Sequence, residues 1–312
     1  MIETPLPRRA TLTLALVGGI SAVSTAAIII RFAQHEGASS ITIAAARLTI
    51  ASLLLAPLAL TRYQSELRQL NKREWILALL SGLFLALHFA TWITSLETTT
   101  VASSVVLVST TPLWVAVFAP LILHERLGNF AIVGLILAMT GGVIVGLSDS
   151  CSLDSGVLAC PAIRTFFSDK AFIGDLLSLI GAWMAAGYML VGRKLRMKMK
   201  LIPYIFLVYG MAAIVLIFIM IAMGKGLIGL PPITYIWFAL LALVPQLLGH
   251  STFNWALKYL PASFVSVTLL GEPIGSTILA YFIFQEQPGW IKIGGAVLIL
   301  AGIWLAARGK IK

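Results

Sequence analysis

Polar residues punctuate this chain at long intervals, and the stretches between them are almost wholly apolar. Ten such stretches stand out: Thr11–Phe32, Ile41–Thr61, Trp75–Ser95, Thr99–Leu123, Gly128–Ser148, Phe172–Val191, Pro203–Met223, Ile233–Leu257, Ala262–Phe284 and Gly289–Ala307. A helix rises about 1.5 Å per residue, so about 20 residues cross a hydrocarbon core of about 30 Å. Each stretch is that long. None alternates with the two-residue period of a membrane β-barrel. Backbone groups in lipid must satisfy one another, so the pattern predicts helices. The expected fold is an all-α polytopic membrane protein with ten transmembrane helices. The connections are short except Asp149–Lys170. Arg8 and Arg9 precede a first run too long for a cleaved signal peptide, which reads as an uncleaved helix.

Composition agrees. Hydrophobic residues make up 59% and charged residues 11% of the 312-residue chain, with a mean hydropathy of +0.98. Soluble domains are about 45–50% apolar and about 25% charged. Soluble enzymes and secreted disulfide scaffolds are therefore excluded, and the bilayer is the chain's first partner. A net charge of +10 would suggest nucleic acid in a soluble protein. Here it has another explanation, and no nucleic-acid partner is expected. With the N-terminus inside, 16 of the 22 Lys and Arg fall in inner loops or tails and 5 in outer ones, while Arg47 lies within a span. Basic loops stay in the cytoplasm. A multi-pass protein of the cell membrane with both termini cytoplasmic follows. Cys151 and Cys160 then share the long outer loop, where oxidising conditions permit a disulfide; two free thiols are the alternative. No His accompanies them, so no metal site is expected, and nothing in the chain calls for a cofactor.

The halves match at a constant offset of 161: Pro112 with Pro273, Glu125 with Glu286, Gly134 with Gly295, and Gly141 with Gly302. Isolated Gly matches are common in membrane helices, but two Pro and two Glu at one offset are not. The chain divides into a first repeat (1–150), an outer loop (151–170) and a second repeat (171–312). Five spans is an odd number, so the second copy enters the membrane inverted. Inverted repeats flanking a midplane site are characteristic of secondary transporters.

Several motifs carry a family likeness. Asn254-Trp255-Ala256-Leu257-Lys258-Tyr259-Leu260-Pro261-Ala262-Ser263 leads into Leu270-Gly271-Glu272-Pro273-Ile274 and ends at Phe284-Gln285-Glu286. The first half echoes them in Ser109-Thr110-Thr111-Pro112-Leu113 and Leu123-His124-Glu125. Over nearly its whole length the chain resembles the drug/metabolite transporter superfamily, specifically the EamA family. The resemblance implies an exporter of small organic metabolites, amino acids or related compounds. Thr111 stands where the second half has Glu272, so the halves are not electrostatically equivalent.

A charge at mid-bilayer costs about 2.5–3.5 kcal/mol on insertion scales, so each needs a reason. Glu272 lies near the middle of the ninth span. Pro273 after it cannot donate to Leu269, and Pro112 likewise frees Val108, predicting two polar notches. Glu272 is either a proton or substrate-amine site or a hydrogen-bonded strut between helices. His88 with Trp92, and His250 with Asn254, are four apart and share helix faces, so each pair can face a cavity or bond a neighbouring helix. Arg47 either snorkels outward, with Glu97 as a partner, or offers its forked donors to a substrate carboxylate. Tyr209-Gly210 occupies the corresponding stretch of the second half. Trp114, Trp183, Tyr188, Tyr209 and Trp255 could line a ligand cavity. Trp75, Trp237, Trp290 and Trp304 fit interface belts. Pro245-Gln246 interrupts span eight and predicts a gating kink, and Gly142 and Gly271 open small-residue pairs suited to close packing.

Three functional classes compete. A secondary transporter of a small-molecule substrate, with protons as a candidate coupling ion, fits best. A channel or scaffold is the alternative. An intramembrane enzyme fits worst. His124-Glu125-Arg126-Leu127-Gly128 lacks the second His of a zinc-protease motif, no Gly-x-Ser-x-Gly is present, and no P-loop supplies ATP chemistry. Substrate identity and oligomeric state are not encoded in any motif.

Overall fold

The computed structural model describes residues 9–123, 129–150, 152–154, 157–159, 169–260 and 262–308. The chain runs α1 (Arg9–Ser24), α2 (Ala26–His35), α3 (Ser40–Arg62), α4 (Gln64–Arg68), α5 (Lys72–Ser95), α6 (Val101–Val108), α7 (Thr111–Leu123) and α8 (Asn129–Ser150). A small antiparallel hairpin follows, β1 (Ser152–Asp154) with β2 (Val157–Ala159). Then come α9 (Lys170–Arg196), α10 (Leu201–Ala222), α11 (Pro232–Leu241), a π-helical segment (Ala242–His250), α12 (Ser251–Ala256), α13 (Ala262–Thr268), α14 (Gly271–Phe284) and α15 (Trp290–Arg308). Among the described residues, eight helical stretches are long and apolar enough to cross a membrane. The chain is a multi-pass membrane protein. Two shorter apolar helices, within α8 and α15, stand where the fifth and tenth spans were expected. The hairpin lies in the long loop that follows α8, which the apolar pattern left without structure. Cys151 and Cys160 lie outside the described residues, as do His124 and Glu125.

Local chemistry sets the helix ends. Ser39 caps α3 by accepting from the Thr42 N–H, and Asn71 caps α5 in a reciprocal box with Glu74. Four apolar spans are not continuous α-helix. The first bends at Thr25, whose hydroxyl donates back to the Ala22 carbonyl at 2.8 Å. The fourth breaks between α6 and α7, and the ninth between α13 and α14, each just before its proline. The carbonyls freed by these prolines do not stay open. Val108 O accepts the Thr111 hydroxyl at 2.8 Å, and Leu269 O accepts the Glu272 N–H at 2.9 Å. The notches are therefore satisfied locally, and the expectation of an open carbonyl beside Glu272 is corrected. In the eighth span Pro245 lies inside a π-helical segment.

Packing is pairwise. α8 lies against α15, α3 against α10, and α6 and α7 against α13 and α14. α5 packs on α9 and α10, while the π-segment packs on α1 and α3. α9 also contacts α6 and α7, and α1 contacts α14. Gly141 allows the α8–α15 approach: a Cβ there would stand 2.6 Å from the Gly295 carbonyl oxygen. The neighbouring Gly142 has open space instead, its Cβ meeting only a Leu107 methyl at 3.8 Å. Gly271 does pack closely, against Ile20.

Charged loops gather at two ends. At one, Lys198 pairs with Glu74 at 3.3 Å and Glu66 accepts from the Lys200 N–H at 2.7 Å. At the other, Arg31 pairs with Glu286 at 3.5 Å and donates to Thr99 O at 2.7 Å, while Lys292 donates to Thr100 at 3.1 Å.

Candidate functional site

A central cavity of about 60 Å³ lies where the broken fourth and ninth spans meet α5, α9 and the eighth span. His88, Trp92, Pro112, Tyr188, His250, Asn254 and Glu272 line it, so seven of the residues singled out from the sequence come together. α5 supplies His88 and Trp92 one turn apart, and their rings stack at 5.8 Å with 10° between planes. His88 Nδ1 faces the Gly181 carbonyl at 2.9 Å, which orients the imidazole from α9. The break before Pro112 brings Ser109 and Thr111 to the same wall. Across the cavity, α14 presents Glu272 in its first turn.

Behind this wall runs a chain of buried polar groups. Tyr188 Oη donates to Asn254 Oδ1 at 2.7 Å. Asn254 Nδ2 donates to Tyr209 Oη at 3.2 Å, and Tyr209 Oη lies 3.2 Å from Ser251 Oγ. Tyr209 is thus fully buried and supports the wall without lining it.

Arg47 is fully buried, at 0% exposure, which removes the snorkelling option. Its Nε donates to Gln246 Oε1 at 2.7 Å. Its guanidinium carbon lies 4.2 Å from the Phe89 ring centroid. Phe89 in turn meets His250 edge-on at 5.3 Å. Arg47 is therefore one ring-layer behind the cavity. Neither Nη1 nor Nη2 has a hydrogen-bond partner. No carboxylate pairs with Arg47 among the described residues, and Glu97, the partner considered from sequence, accepts instead from the Ser40 N–H at 3.1 Å and from its hydroxyl. The π-segment explains the contact with Gln246: the wider turn rotates this side chain into the bundle, where it is fully buried. Gln246 and Phe89 were missed as site residues because an amide and a phenyl ring in apolar runs look like packing. The amide beside a mid-span proline was the available signal.

Trp114 and Trp183 line a second cavity, of about 350 Å³, on the other side of the α6–α7 break. Their rings meet edge-on at 5.0 Å. Trp255 meets Tyr259 edge-on at 5.2 Å and lines neither cavity. Among the described residues, no group of three or more His, Cys, Asp and Glu side chains is placed to hold a metal ion.

The model of the EamA-like transporter family matches residues 10–147 and again 172–308. A protein of Archaeoglobus fulgidus described as an uncharacterized transporter is 22% identical over 257 residues, covering 81% of this chain and 84% of its own. A solved crystal structure superposes with a TM-score of 0.65 at 18% identity, covering 96% of this chain and 97% of its own, which is a likeness of fold.

Proposed function

The chain belongs to the EamA-like transporter family, and on that premise we propose that it is a secondary transporter that exports small organic metabolites, amino acids among them, by alternating access around the central cavity. One observation carries this reading. A fully buried guanidinium with two unpartnered nitrogens sits one ring behind a cavity that also presents a carboxyl group. Burying an ion costs several kcal/mol unless a partner compensates it. A transported carboxylate, held bidentately by the Nη1–Nη2 edge, would be such a partner. Glu272 would then face the amino group of a zwitterion, and is the candidate carrier of a coupled proton. At about 60 Å³ the cavity is smaller than the about 300–1,000 Å³ of ligand pockets, so loading requires its walls to part.

The helix pairings support ten spans in two inverted repeats, 1–150 and 171–312, joined by the 151–170 loop. Exchange every span for its counterpart in the other half, and the principal pairings are preserved. Spans two and seven, four and nine, and five and ten each pair with their own counterpart. The contact of spans three and six maps onto that of eight and one, and three with seven onto eight with two. Such a pattern is what a two-fold axis in the membrane plane produces. The Glu66–Lys200 cluster and the Arg31–Glu286 cluster at opposite ends support cytoplasmic termini in the plasma membrane, the more basic end inside.

Solute counterflow in proteoliposomes tests the reading. Saturable exchange of a labelled amino acid or related metabolite is expected; a non-saturating conductance would instead indicate a channel. Glu272→Gln is expected to retain counterflow and lose its dependence on pH. Persistent pH dependence would remove Glu272 as the proton carrier.

A further inference from the structure

The second cavity is unlike the first in every respect that bears on a ligand. Leu107, Leu113 and Trp114 form its inner wall, and Gly142 leaves its floor open. Its one acid, Asp175, already accepts the Thr99 hydroxyl at 2.9 Å. Of its other polar groups, the Thr110 hydroxyl donates to Leu107 O at 2.7 Å and accepts from Trp114 Nε1 at 3.2 Å, and the Trp183 indole N–H is buried with no hydrogen-bond partner. The rest of the lining is almost wholly carbon, so the volume, about 350 Å³, is apolar in character. Its rim carries Met139, Val143 and Leu176, all exposed. On a membrane-spanning bundle, exposed apolar side chains face lipid, so the cavity opens sideways into the bilayer.

Its depth is informative. Along α9 it extends from Phe172, two residues into the helix, to Trp183 at mid-helix. Eleven residues at 1.5 Å make about 16 Å, which matches one leaflet, half of a hydrocarbon core of about 30 Å. Lys170, the first residue of α9, is exposed and places a cation at the end of the cavity where a phosphate would lie.

We propose that this cavity binds one acyl chain of a bilayer phospholipid, taken from the leaflet at the Lys170 end. An apolar void open to lipid is filled by its own solvent, which restores the dispersion contacts an empty wall would lose. The chain would rest on Leu107 and Leu113, on the reverse side of the α6–α7 break from Ser109 and Thr111 in the central cavity. The site stands independently of the transport reading.

The test is photolabelling. The full protein is reconstituted in vesicles containing a phosphatidylcholine with a diazirine midway along one acyl chain, irradiated, digested and mapped by mass spectrometry. Label is expected on peptides spanning 107–114, 138–143 and 172–183, above that on the outward face of α10 around Ile214 and Phe218. Gly142→Phe should lose the cavity label and keep the α10 label; its Cβ meets nothing closer than 3.8 Å. Should Gly142→Phe fail to fold, Leu176→Trp at the rim serves the same purpose. Uniform label over all outward faces would overturn the proposal, as would cavity label that survives both substitutions. Displacement of the label by a transported solute would also overturn it, assigning the cavity to the transport path.

Discussion

The central and lateral cavities share a partition, the break between α6 and α7, yet are built oppositely. The central one is small, lined by two His, an Asn, a Tyr and a Glu, and backed by a buried Arg. The lateral one is nearly six times larger in volume (350 against 60 Å³) and lined almost wholly by carbon. Lipid explains the contrast. A polar void in a membrane costs free energy unless water or a ligand fills it, so it closes when empty. An apolar void beside the bilayer has a filler always at hand. With transport proposed at the central cavity, buried charge and not cavity size marks the site.

The largest expected effect lies at Arg47. Arg47→Met should cut counterflow roughly 30-fold or more, from loss of about 2 kcal/mol or more when a buried charged partner is removed. Arg47→Lys should fail to restore it, because an ammonium cannot offer a bidentate edge. Full activity in Arg47→Lys would break the carboxylate reading and leave the lateral cavity untouched. Next is the pair Gly141 and Gly142, adjacent in sequence but opposite in surroundings. Gly141→Leu should destabilise the protein by about 1–3 kcal/mol through overpacking against α15. Gly142→Leu projects into the lateral cavity and should shift stability by about 0.5 kcal/mol or less. Thermal unfolding in detergent reads both, and equal shifts would mean that the lateral cavity is not open. Smallest is Asn71→Ala, remote from both cavities. Loss of the α5 cap should cost about 1 kcal/mol while leaving counterflow per folded protein unchanged. A drop in counterflow there would extend the central site to the α5 N-terminus.

Most of the architecture was legible in one dimension. Apolar runs and the constraint on backbone groups in lipid each act locally, so reading along the chain recovers the membrane helices. His88, Trp92, His250, Asn254 and Glu272 were also legible, since a polar group in an apolar span is conspicuous. The break positions followed from Pro112 and Pro273, but the closure of the freed carbonyls by Thr111 and by the Glu272 N–H did not. Proline tells only which donor is missing, not which neighbour replaces it.

By itself the sequence determined that this chain lives in lipid, that its halves repeat, and which few polar groups the membrane must accommodate. Only the tertiary structure decided their company. It placed Tyr209 behind the wall, turned Trp114 and Trp183 to the lateral cavity instead of the central one, and set Arg47 against Gln246 and Phe89 instead of Glu97. It also separated Gly141, packed on α15, from Gly142, facing open space. The reason is physical. Hydropathy and span length report each residue's exchange with solvent one position at a time. Pairing and cavities depend on which helix faces meet, and the π-turn at Pro245 rotates one of those faces in a way that no local pattern encodes.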